Sequence, residues 1–119
     1  MKLTDAEWQV MNALWEKHPA TARELAKHLP REINWAYTTL KTMLARLVEK
    51  GAVAECKEGN TSVYQPRLAR EKARKSALHT LLDTAFGGAV GPLLHFLLED
   101  EKLSPRERAE IEKMLKLKK

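Results

Sequence analysis

Apolar residues return every three or four positions through the first fifty residues, switch to a shorter period after Gly51, and resume helical spacing from Leu68 onward. Trp8, Met11 and Trp15, flanked by Val10 and Leu14, share one face of a helix whose start is marked by Thr4-Asp5-Ala6-Glu7. In such a box the threonine hydroxyl accepts from the glutamate backbone while the carboxylate reaches back to the threonine amide, so two orphan donors are satisfied together. His18-Pro19 ends the helix. Thr21-Ala22-Arg23-Glu24 repeats the box and opens a short helix expected to bury Ala22, Leu25, Ala26 and Leu29 before Pro30. A third helix is predicted from about Trp35 to Lys50, where Leu40, Met43, Leu44, Leu47 and Val48 fall on one core-facing arc. The opposite arc carries Thr38, Lys41, Thr42, Ala45 and Glu49, with Thr39 and Arg46 on its shoulder. Its first turns hold short hydroxyl side chains where a solvated helix would carry more Glu and Lys, and short side chains let a helix backbone approach another surface closely.

Gly51 stops that helix, and the period changes. Ala52 to Lys57 and Thr61 to Pro66 read as two strands joined through Glu58-Gly59-Asn60, a hairpin. Three helices followed by a hairpin is the order of a winged helix-turn-helix domain. From Leu68 the chain is helical again. Ala73, Ala77, Leu78, Leu81, Leu82, Ala85 and Phe86 line one long helix ended by Gly87-Gly88; Leu93, Leu94, Phe96, Leu97 and Leu98 follow Gly91-Pro92; Ser104-Pro105-Arg106-Glu107 caps a last helix with Ile111, Met114 and Leu115. A lone arm of this size is marginal by surface-to-volume scaling, so these helices are expected to bury their stripes against a second copy, through Leu78, Leu81, Leu82, Phe86, Leu94, Leu97, Leu98, Ile111, Met114 and Leu115. The fold class is therefore mainly α with a small β-hairpin wing: a winged-helix domain over 1–66 and a helical dimerisation region over 67–119.

Composition narrows the function. The single cysteine, Cys56, excludes an internal disulfide and a Cys-based metal cluster, and is expected to be a small, at least half-buried strand residue. His18, His28, His79 and His95 have no helical pairing at three or four positions, so no metal is expected. Glu99-Asp100-Glu101 reads as a solvated helix end rather than a general-acid pair. There is no phosphate-cradling glycine loop, zinc-hydrolase helix or nucleophile elbow, so neither enzyme nor cofactor is expected. No apolar run approaches the roughly 20 residues that span a bilayer, and the start lacks the pattern of a secretion signal, so the expected place is the cytoplasm. The net charge of +5 favours an anionic partner only weakly by itself. Pattern carries the case: the major groove of double-stranded DNA admits one helix, and the third helix of a winged helix enters it. Thr38, Thr39, Lys41 and Thr42 are then placed for base edges and nearby phosphates, Arg46 for phosphate, and Lys57, Asn60 and Thr61 at the hairpin for the neighbouring backbone. Trp35 reads as a core plug before a stacking residue. Tyr37 has two open readings, a hydroxyl donor to phosphate or a cover for the helix start. A rival class is a winged-helix module that uses the third helix against another protein without DNA readout.

Thr4 to Met11, Trp35 to Leu47, Glu49-Lys50-Gly51 and Phe86-Gly87-Gly88, taken together, resemble the penicillinase-repressor family of BlaI, MecI and CopY type. The resemblance implies a dimeric winged-helix repressor occupying a dyad operator, often built on TACA and TGTA, ahead of resistance genes. It implies DNA contact from Thr38, Thr39, Lys41, Thr42 and Arg46, and dimerisation from about Leu68 onward. In antibiotic-responsive members a membrane sensor-protease triggers cleavage at an Asn-Phe bond in the penultimate helix; the matching pair here is His95-Phe96. Copper-responsive members carry a Cys-rich motif near the C-terminus, which has no counterpart after Cys56.

Overall fold

The computed structural model describes residues 1–99 and 103–117. Its elements run α1 (Asp5–Glu16), β1 (Ala20–Thr21), α2 (Ala22–His28), α3 (Tyr37–Lys50), β2 (Val53–Glu58), β3 (Thr61–Pro66), α4 (Arg70–Ala85), α5 (Val90–Glu99) and α6 (Pro105–Leu117). The chain divides into two compact units, Met1–Ser76 and Ala77–Lys119.

Local chemistry sets the helix limits in the first unit. Both threonine boxes form: Thr4 N–H donates to Glu7 Oε1 at 2.8 Å and Glu7 N–H to Thr4 Oγ1 at 3.2 Å, and Thr21 and Glu24 repeat this at 3.0 and 3.2 Å. α3 begins at Tyr37, two residues after the expected start, and is closed by Gly51 at φ 85°. There Gly51 N–H donates to the Val48 carbonyl and Ala52 N–H to that of Leu47, the paired bonds of a Schellman stop that only a residue free to adopt positive φ makes without strain.

One core fills this unit. Val10, Met11 and Leu14 of α1, Leu25 of α2 and Leu40, Leu44 and Leu47 of α3 are fully buried, with Val53 and Tyr64 closing it from the strands. Trp8, Trp15, Trp35, Met43 and Val48 pack against its edge. Trp35, expected as a core plug, is half-buried at that edge. Ala26 is exposed, contrary to expectation: α2 is only seven residues long, and Ala22 and Leu25 alone turn inward. The sheet holds a strand that the pattern did not reveal. β1 pairs antiparallel with β3, giving the order β1-β3-β2, with Ala20 opposite Tyr64. Beyond Ala54 the edge strand β2 leaves the core, so Cys56 is exposed rather than half-buried.

In the second unit α4 ends before Gly87 and Gly88, both at positive φ, and Ser104 and Glu107 exchange capping bonds of 3.1 Å at the head of α6. α5 buries none of its residues. Among the described residues no single helix is long and apolar enough to cross a membrane.

Candidate nucleic-acid interface

The two arcs of α3 separate as their periodicity requires. Leu40, Leu44 and Leu47 point into the core, while Thr38, Lys41, Thr42, Ala45, Arg46 and Glu49 are exposed and Thr39 is half-buried. Thr42 Oγ1 donates to the Thr38 carbonyl at 2.9 Å, which spends the hydroxyl proton inside the helix and leaves a methyl and an acceptor facing outward. Unlike α1 and α2, α3 has no side-chain cap at its N-cap Ala36 and no acidic residue in its first turn. The positive end of its backbone dipole therefore meets no carboxylate of its own.

Beside this face the starts of α2 and α3 and the hairpin enclose a cleft of about 410 Å³. Tyr37, Lys41, Lys57, Asn60 and Thr61 all line it, so the fold gathers these five sequence-predicted residues from two separate stretches of chain. The hairpin delivers its share through register. Lys57 stands opposite Ser62 and Glu58 opposite Thr61, and Gly59, at φ 66°, makes the two-residue turn to Asn60. Tyr64 forms the floor; burial pushes its hydroxyl pKa up, and the Glu55 charge adds to that. Thr38, Thr39 and Thr42 lie on α3 outside the cleft lining. Arg46 is not brought to the cleft: it borders a separate depression with Thr4, Glu7, Glu49 and Lys50. Arg23 lines the cleft with its guanidinium 5.3 Å from the Tyr37 ring centroid, and nothing in the sequence pattern singled it out.

An ion pair between a buried carboxylate and an exposed lysine fixes how α3 is held. Lys50 Nζ lies 2.6 Å from Glu7 Oε1, whose side chain is 2% exposed against 36% for the lysine, and donates also to the Lys2 carbonyl. Burial pushes the Glu7 carboxyl up. Donation from Lys50 and from the Thr4 amide and hydroxyl, with the lysine charge, outweighs this and holds the group below its ordinary range. The last turn of α3 is thereby tied to the first turn of α1. At the other edge Trp15 Nε1 donates to the Leu68 carbonyl at 2.9 Å, and Arg70 lies over the Trp15 ring while pairing with Glu16.

Among the described side chains, none of the residues assigned to dimerisation is buried. Leu78 and Leu81 are 46% and 44% exposed, and Leu82, Phe86, Leu94, Leu97, Leu98 and Ile111 are half-buried. Phe86 and Phe96 lie with ring centroids 6.1 Å apart. The side chains of Met114 and Leu115, and the residues Asp100 and Glu101, lie outside the described residues. His95 and Phe96 occupy the middle of α5, both exposed.

A helix with an exposed, hydroxyl-lined face, set after a short helix and before a two-stranded wing, defines this chain as a winged-helix protein. A family model described as "Penicillinase repressor" matches residues 3–117. The penicillinase repressor of Bacillus licheniformis is 31% identical over 96% of this chain and 89% of its own length, and the methicillin resistance regulatory protein MecI of Staphylococcus aureus is 25% identical over 98% and 95%. The solution structure of the monomeric form of Bacillus licheniformis BlaI in complex with the blaP half-operator superposes with a TM-score of 0.52 at 35% identity, covering 60% of this chain and 88% of that one. The chain belongs to the penicillinase repressor family.

Proposed function

We propose that this chain is a cytoplasmic transcription repressor that binds a dyad operator in double-stranded DNA as a homodimer, ahead of resistance or stress genes. Residues 1–66 read the DNA and residues 67–119 join two copies. α3 enters the major groove, where Thr38, Thr39, Lys41 and Thr42 meet base edges and nearby phosphates. Lys57, Asn60 and Thr61 hold the adjoining backbone, with Tyr37 beside them at the start of α3, which supplies position and salt-dependent affinity but little sequence information. Arg46, on the flank of α3, reaches a phosphate further along. The observation that carries this reading is the exposed hydroxyl face of α3 lying next to a cleft lined by Arg23, Lys41 and Lys57 and, among the described residues, by no carboxylate.

Dimerisation is supported by the uncovered leucines of α4 and by an apolar α5 that buries nothing. A single domain makes few contacts, and joining two half-site binders raises effective affinity by orders of magnitude. Repression is relieved when that joint is broken. Cleavage at His95-Phe96, triggered by a membrane sensor-protease, would do this by detaching the end of α5 and all of α6; an intact chain in derepressed cells would argue against that route.

The test is a gel shift on promoter DNA from the chain's own locus, comparing the full chain with residues 1–76 over a range of salt. The full chain is expected to bind far more tightly, with affinity falling steeply as salt rises. Equal affinities would refute the dimer, and binding insensitive to salt would refute the DNA surface.

A further inference from the structure

We propose that Arg23 and Tyr37 form a phosphate grip at the mouth of the cleft, in which Arg23 takes the duplex backbone and Tyr37 acts through its ring, holding the guanidinium in place. This rests on the DNA reading of the same face and adds to it a contact residue and a division of labour.

Arg23 is exposed and stands one residue beyond the start of α2. With its guanidinium over the Tyr37 ring, 5.3 Å from the centroid, the group is held by a cation–π contact, which leaves its N–H donors for a ligand. No carboxylate claims them: among the described residues the ion pairs engage Lys50, Arg70, Arg74 and Arg106, and none engages Arg23, Lys41 or Lys57. Three like charges around one cleft of about 410 Å³ repel one another, and an anion placed among them removes that cost. The rest of the lining includes Thr21, Asn60, Thr61 and Ser62, whose hydroxyl and amide groups can donate to phosphate oxygens. Lys41 belongs both to this lining and to the exposed face of α3. The anion is therefore continuous with whatever α3 touches, which points to one phosphate of the strand whose groove the helix enters rather than to a separate small molecule.

The two readings left open for Tyr37 divide here. One face of its ring is already occupied by Arg23, and a cation–π contact needs the ring, not the hydroxyl. Tyr37 is then a positioning residue and Arg23 the contact.

The experiment uses the full chain and a mixed-sequence duplex of about three helical turns, since a phosphate contact does not depend on base sequence. Binding is followed by fluorescence anisotropy across a salt series. Arg23→Ala is expected to weaken binding about tenfold and to reduce the slope of log affinity against log salt by about 0.9, the share of one phosphate. Arg23→Gln, which keeps the stem over the ring and removes the charge, is expected to lose the same slope. Tyr37→Ala is expected to weaken binding several-fold, and Tyr37→Phe to rescue it. The double variant Arg23→Ala with Tyr37→Ala should be no weaker than Arg23→Ala alone, because the ring has nothing left to position. An unchanged slope in both Arg23 variants, or a Tyr37→Phe as weak as Tyr37→Ala, would overturn the proposal while the DNA reading stood. Wild-type protein without salt-sensitive binding would remove the reading itself.

Discussion

The two compact units use the same raw material, short helices rich in leucine and alanine, and end in opposite states. In Met1–Ser76 the leucines of α2 and α3 meet across a closed interior, and Leu25, Leu40, Leu44 and Leu47 are all but inaccessible. In Ala77–Lys119 Leu78 and Leu81 stand nearly half exposed, and α5 has no buried residue at all. The difference lies in what each helix finds within the chain. α3 meets α1, α2 and the strands on its apolar arc, so its polar arc is freed for a ligand. Among the described residues α5 has no comparable set of partners, and none of its side chains is buried. Uncovered apolar area of this kind marks a surface made for another molecule, and a second copy is the partner proposed above.

That contrast predicts graded effects. The largest belongs to the closed interior: Leu44→Ala should cost about 2–5 kcal/mol of unfolding free energy, because a fully buried side chain leaves a cavity as well as lost transfer energy. Chemical denaturation of the full chain reads this directly, and a cost under about 0.5 kcal/mol, the range of surface substitutions, would mean the core is not where it is placed. Leu81→Glu should behave in the opposite way. Denaturation of the first unit should be unaffected, while operator affinity falls by roughly a hundredfold, or about 2.7 kcal/mol, as the advantage of joining two half-site binders is lost. Sedimentation should show the variant as a monomer where the wild type is a dimer. If both are monomers at every concentration, the arm is not a dimer face.

A smaller effect tests how α3 is anchored. Glu7→Gln should cost about 1–2 kcal/mol near neutral pH, less than breaking a fully buried pair, because Lys50 can return to water. Its pH dependence has a fixed sign. The folded pKa of Glu7 lies below its ordinary 4.5, so the stabilisation is complete above that value and is lost as pH falls through the folded pKa. Wild type and variant should therefore differ at neutral pH and converge in acid. A gap that persists undiminished at pH 2 would assign the loss to packing instead.

What the sequence made legible follows the range of the interactions concerned. The boxes at Thr4, Thr21 and Ser104 and the stop at Gly51 join residues within five positions of one another, so their bonds are written in adjacent letters. The two arcs of α3 are equally local, since a helix repeats on itself. Nonlocal features left weaker traces. β1 is two residues long and exists only through its pairing with β3, and the Glu7–Lys50 pair joins positions 43 residues apart. Arg23 reads as ordinary surface charge until the fold sets it over Tyr37. Cys56 misled because strand alternation implies a covered face, and β2 runs past the core before reaching it.

The central claim is that the outward arc of α3 enters a duplex. It is tested most directly by following backbone amide resonances of the full chain as operator DNA is added. The largest shifts are expected at Thr38, Thr39, Lys41 and Thr42, with a second group at Lys57, Asn60 and Thr61. Shifts confined to α1 or to the arm, with the amides of α3 unmoved at saturation, would contradict it.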